Sequence, residues 1–242
     1  MIQLLYRIYI IWFVIGFFLV GLNLIPPWLE WANSMFLILS GSLSILYALY
    51  TFGSKKGIMI SGGIFFTTFT IEGLSAHFDI FFGNYDYTPL FPPLLFGVPI
   101  GIGFAWITMI MAGHALTIHI KNRLTRSVIA AFYVVALDLI LDPVAYIVKG
   151  YWIWDDTSFY YDIPLSNFLG WFTIAFCWQL LLTTQKNNSY LFLQNKIIVV
   201  FWTIAILFIW IALLNKLFLA FTVSMIAFVL TEFLRRSARE KK

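Results

Sequence analysis

The chain has 242 residues, of which 62% are hydrophobic, 20% aromatic and only 11% charged, and its mean hydropathy is +0.91. A soluble globule of this size cannot carry that composition, so the class is a polytopic membrane protein. The net charge of +4 does not indicate nucleic-acid binding, because the basic residues fall in loops that flank apolar runs, and the single cysteine, Cys177, excludes an internal disulfide or a cysteine-built metal site.

Apolar runs separated by turn or charged residues predict an all-α bundle of about eight spans, at about 4–22, 33–52, 58–76, 95–119, 127–147, 166–184, 196–214 and 217–234. The first contains Arg7, is too long for a signal-peptide core and lacks a small-residue cleavage site, so it is expected as a retained span. Gly97, Gly101 and Gly103 thin part of the fourth helix, which permits either close helix packing or a slot for a flat ligand. Cys177, in the sixth, is expected as a small core residue. The last two spans are separated only by Asn215 and Lys216, so one bent or re-entrant segment is the alternative there. Spans one, two, seven and eight are mostly Leu, Ile, Phe and Trp and are expected to be scaffold and lipid-facing surface. Every lysine and arginine except Lys149 and Lys216 falls on one side of this arrangement, Lys186, Lys241 and Lys242 among them. By the positive-inside rule that side is the cytoplasm, which places both termini inside a single transmembrane domain, 1–242.

The carboxylates make the complementary pattern. Glu30, Asp79, Asp86, Asp155, Asp156 and Asp162 lie in the opposite loops, while Glu72, Asp138 and Asp142 lie in the outer halves of their helices. A charge inside a bilayer costs at least ~2.5–3.5 kcal/mol, so such groups are functional candidates by default. Asp138 and Asp142 are four apart and share a helix face, and Pro143 removes the hydrogen bond that the Leu139 carbonyl would accept. A polar pocket is expected there. The two long outer loops also resemble one another, since Pro99 precedes Trp106, and Pro164 precedes Trp171, by the same interval. Two facing helix–loop–helix hairpins within a core at 58–184 would bring their carboxylates and aromatics around one cavity.

His77, His114 and His119 are too few and too scattered for a membrane di-iron site or a bis-histidine haem, and no Gly-rich phosphate loop, HExxH or nucleophile elbow is present. His77 is close enough in sequence to Glu72 to tune its proton affinity. The Asp138-x-x-x-Asp142 pair invites comparison with intramembrane prenyltransferases, but that chemistry needs a second acidic motif and cations around a diphosphate, and the carboxylate level offers only Lys149 and Lys216. What remains is acid–base chemistry without metal or cofactor on an uncharged, lipid-soluble substrate. A carboxyl group in an apolar setting can hold a proton at neutral pH, donate it to an alkene, and leave a second carboxylate to orient water for attack on the cation. Tyr85, Tyr87, Trp106, Tyr151, Trp152, Trp154 and Trp171 could stabilise that cation through their ring faces or form an interfacial aromatic belt, the belt being the expectation for most of them.

The glutamate-bearing helix, FGNYDYTPL, GVPIGIGFAW, LDLILDP and YYDIPLSNFLGW together resemble the integral-membrane carotenoid biosynthesis proteins that include the ψ-end-group (1,2-) hydratases. The resemblance covers roughly 72–171. It implies addition of water across the terminal double bond of an acyclic carotenoid to give a tertiary alcohol, in a multi-pass protein of the bacterial inner membrane whose partners are the carotenoid, water and membrane lipid. It implicates Glu72, Asp138 and Asp142 as catalytic, with Tyr85, Tyr87, Trp106, Asn167 and Trp171 around the substrate and Pro164 nearby. Asp162 departs from the pattern, which implies glycine before Ile163 and Pro164, and His77 and Asp79 depart as well. The pocket is expected among helices three to six, with Asp138 or Asp142 as proton donor and Glu72 as water-orienting base, or the reverse. An intramembrane prenyltransferase or elongase of the same pathway and a non-catalytic carotenoid or lipid carrier are the alternatives.

Overall fold

In lipid every backbone N–H and C=O has to be satisfied within its own segment, so long apolar runs fold as helices. The computed structural model describes residues 2–183 and 191–240. Among them are eight α-helices: α1 (Ile2–Gly21), α2 (Trp31–Phe52), α3 (Ser54–Phe78), α4 (Ile100–Thr117), α5 (Arg123–Pro143), α6 (Leu165–Leu181), α7 (Leu191–Leu214) and α8 (Phe218–Glu240). Seven helices are long and apolar enough to cross a membrane, and α6 is an apolar helix of 17 residues. The chain is therefore a multi-pass helical membrane protein. The end of the span expected at 184, together with Lys186, Lys241 and Lys242, lies outside the described residues.

Four short strands sit in the loops: β1 (Tyr85–Tyr87), β2 (Leu94–Leu95), β3 (Val98–Pro99) and β4 (Trp152–Trp154). They account for the main boundary differences. The fourth helix starts at Ile100 and not near 95, because β2 and β3 pair as a hairpin whose turn residues, Phe96 and Gly97, have φ of 50° and 79°. Gly97 thus belongs to a turn with two positive φ angles and not to the helix. At the other end of the bundle α5 begins at Arg123, ahead of the expected 127, because the Asn122 side chain accepts the Thr125 N–H at 2.9 Å and caps the helix. Beyond Pro143 the chain continues as a π-helical turn, Val144–Val148.

Gly53 alone joins α2 to α3, at a φ of 85° that a residue with a side chain rarely adopts. α7 and α8 are separate helices joined by a turn around Lys216, so the re-entrant alternative does not apply. α4, apolar all round, is buried along nearly its whole length at the centre of the bundle. A Cβ at Gly103 would lie 2.5 Å from the Phe65 ring, so this glycine serves helix packing. Cys177 is exposed on α6, contrary to the core position expected for it; between lipid and core, apolar surroundings alone do not tell which way a helix residue faces. At the basic end, the buried Arg126 donates to the Leu182 carbonyl at 2.6 Å, and His114 is buried with its Nδ1 3.0 Å from the Tyr47 hydroxyl.

Candidate active site

The site is assembled where the two long loops meet. β1, between α3 and α4, pairs antiparallel with β4, between α5 and α6, with Tyr85 opposite Trp154 and Tyr87 opposite Trp152. Side chains alternate across a strand, so these four aromatics share one face while Asp86 and Ile153 occupy the other. Asp86 and Ile153 are exposed, and the aromatic face turns into the bundle, Tyr85 packing on Trp154 with ring centroids 4.9 Å apart. The strand pair caps the carboxylates with hydrogen-bond donors.

Glu72, on α3, is 4% exposed. Its Oε2 accepts the hydroxyls of Tyr85 at 2.7 Å and Tyr87 at 2.8 Å, and its Oε1 accepts the indole N–H of Trp106 at 2.9 Å. Trp171, on α6, stacks on Trp106 with centroids 4.2 Å apart and holds that indole in place. Burial and the adjacent Glu72 carboxylate push the phenols of Tyr85 and Tyr87 well above the ordinary tyrosine range, so both stay protonated and donate.

Asp138 and Asp142, one turn apart on α5, share a face as their spacing predicts and are 1% and 2% exposed. Asp142 Oδ1 accepts the indole N–H groups of Trp152 at 2.7 Å and Trp154 at 3.1 Å. The Asn167 amide, on the first turn of α6, donates to Asp142 Oδ2 at 2.8 Å and to Asp138 Oδ2 at 2.9 Å. Asp138 Oδ1 is buried and has no partner. Indole and amide N–H groups can only donate, so Glu72 and Asp142 are held as acceptors while one oxygen of Asp138 is left without a donor.

All three carboxylates line one cavity of about 250 Å³ with almost wholly apolar walls. One face of α5 contributes Asp138, Leu141 and Asp142, and the π-helical turn that follows adds Ala145, with Lys149 just beyond it. The cavity is not confined to helices three to six, as expected, for α1, α2 and α7 also wall it. Their only charged residues, Arg7 on α1 and Lys196 on α7, lie away from the cavity, so no charge signals a pocket there. At the mouth Lys149 donates to the Val20 carbonyl at 3.0 Å, and Asn33 donates to Glu30 at 2.7 Å. Burial raises the Glu30 pKa and lowers that of Lys149, their mutual attraction opposing both shifts.

Every site residue expected from the sequence, namely Glu72, Asp138, Asp142, Tyr85, Tyr87, Trp106, Asn167 and Trp171, is brought to this cluster. Trp152 and Trp154 are not interfacial belt residues but donors to Asp142, a role that follows from the pairing of Trp-Ile-Trp with Tyr-Asp-Tyr. Tyr160, which no pattern singled out, donates at 2.6 Å to the Leu139 carbonyl that Pro143 leaves unpaired. His77 does not reach Glu72: it is exposed, and its Nδ1 is bonded to the Gly73 carbonyl at 2.8 Å. Asp79 closes α3 in a left-handed conformation. Asp162 has φ of 60°, which is why glycine suits that position and why aspartate is tolerated there. Pro164 occupies the N-cap position of α6 and packs against Gly83 rather than entering the site.

Fold and site together define a multi-pass helical membrane protein with a carboxylate cluster, saturated with aromatic donors, at the end of an apolar cavity. The particular family follows from comparison with known proteins: the family model described as carotenoid biosynthesis protein matches residues 32–233, and the chain belongs to that family. No curated protein and no solved structure matches it.

Proposed function

We propose that this chain is a hydratase that adds water across the terminal double bond of an acyclic carotenoid, giving a tertiary alcohol. The observation that carries the reading is the contrast between Asp138 Oδ1, buried and without a partner, and the oxygens of Glu72 and Asp142, each of which accepts at least one hydrogen bond. Two carboxylates held as anions disfavour a third charge in the same dry space, so Asp138 carries the proton.

The end group of the substrate lies against Asp138, and the alkene π pair takes the proton to form a new C–H bond and a tertiary cation. The ring faces around the cavity stabilise that charge. Water held by Glu72 attacks the cation, its lost proton passes to Glu72 and on to solvent, and Asp138 is reprotonated. The net change is one alkene and one water to one alcohol, with no redox step.

The test is expression in a host that makes an acyclic carotenoid, followed by mass spectrometry of the pigments. A gain of one water supports hydration. A five-carbon gain would mean prenyl transfer, and unchanged pigment bound to the purified protein would mean a carrier.

A further inference from the structure

We infer that Gly16 on α1 sets which substrates the cavity admits, by leaving the space in which the apolar chain behind the reacting end group lies. The inference rests on the hydratase reading for the end group but concerns a different part of the cavity. α1 faces the cavity with Trp12, Phe13, Gly16, Leu19 and Val20, positions that fall on one helical face with Gly16 at its centre. One turn to either side the wall is built of large side chains. Gly16 lines the cavity, and an added Cβ there would meet nothing within 4 Å, so this glycine leaves open space in the wall and is not a close helix contact. The contrast with Gly21 on the same helix is direct, since a Cβ there would lie 2.5 Å from Trp210.

An adjoining wall, on α7, which packs against α1 through the stacked Phe17 and Trp210 rings, is Ile204, Leu207, Phe208 and Ile211. At 1.5 Å per residue the α1 and α7 walls each run roughly 10–12 Å along the bundle. That length holds an end group and the first part of a polyene, not a molecule comparable to a ~30 Å bilayer core, so the remainder has to leave sideways into lipid. Ile15 marks that exit, for it lines the cavity and yet is 54% exposed. α1 precedes the residues matched by the family, so family membership does not supply this wall.

An apolar cavity of about 150 Å³ holds one benzene-sized ring, so a phenyl group at residue 16 would claim more than half of the 250 Å³ available. The experiment compares the full-length protein with Gly16→Ala and Gly16→Phe. Each is assayed for polyene retained through detergent purification, and for hydration of a long acyclic carotenoid and of a short acyclic isoprenoid with the same end group. Gly16→Ala, which adds only a methyl group to the cavity wall, is expected to impair the long substrate less than Gly16→Phe. Gly16→Phe is expected to lose about tenfold or more of both polyene retention and long-chain product while hydrating the short substrate at the parental rate. Equal handling of the long substrate by Gly16→Phe and the parent would overturn the inference, as would a parallel loss of both substrates. If the parent itself adds no water, the hydratase reading fails, and polyene retention still decides the role of Gly16.

Discussion

Replacing Asp138 with asparagine separates the chemistry of the site from its architecture. The Asn167 amide donates to one oxygen of Asp138, and the other has no partner. An asparagine can present its carbonyl to Asn167 and its NH₂ to the cavity, exchanging one unpartnered polar atom for another of similar size. If Asp138 is neutral, as proposed, the change preserves charge as well as shape, and stability should move by less than about 1 kcal/mol, or roughly 2–4 °C in Tm for a chain of this length. Activity should behave differently. A positioned general acid contributes ~10²–10⁴-fold, equivalent to about 2.7–5.4 kcal/mol of barrier, and an amide cannot supply the proton. The assay is the ratio of hydrated to unhydrated carotenoid at matched membrane expression, with detergent melting of the purified protein alongside. Product within about threefold of the parent would refute the role of Asp138. A Tm increase of several degrees would refute its neutrality, because it would reveal relief of charge repulsion from Asp142 and Glu72.

Other substitutions should rank by the hydrogen bonds they break. Asp142→Asn sets an NH₂ against one of the three donors from Trp152, Trp154 and Asn167, so it should cost about 1–3 kcal/mol in detergent melting besides reducing hydration; an unchanged Tm would contradict the donor arrangement. Tyr87→Phe removes one of three donors to Glu72, a bond to a charged group worth about 1.5–3 kcal/mol, and should lower hydration by about tenfold or more while polyene retention is kept. Tyr160→Phe leaves the Leu139 carbonyl without its partner and should lower stability by about 1–3 kcal/mol with hydration altered much less than in Asp138→Asn, as melting and pigment analysis of one preparation would show. Glu232→Gln, far from the cavity, removes the half-exposed pairing with Arg235 and Arg236, which should cost at most about 1 kcal/mol and leave pigment composition unchanged.

Much of the bundle and the three buried carboxylates of the candidate site are legible in the amino-acid sequence. Long apolar runs have one stable form in lipid, and a carboxylate within such a run is expensive enough to demand a reason, so the spans and the singling out of Glu72, Asp138 and Asp142 follow from local sequence. The spacing of Asp138 and Asp142 fixes their common helix face in the same way, and the unpaired Leu139 carbonyl follows from Pro143, although not the Tyr160 hydroxyl that satisfies it.

The partners of the carboxylates and the walls of the cavity required the fold. β1 and β4 are three-residue strands separated by a helical hairpin, too short to register as periodic patterns, and only their pairing turns Trp152 and Trp154 from apparent interfacial residues into donors for Asp142. The contribution of α1, α2 and α7 was hidden for a different reason. In water a buried helix face differs in composition from an exposed one, whereas in a membrane both lipid and an apolar cavity favour the same residues, so the face that carries Gly16 and the face that carries Cys177 are alike until neighbouring helices are in place. Local chemistry thus determined the spans and the acids, and tertiary packing decided which carboxylate oxygen is left without a donor and which helices wall the apolar cavity.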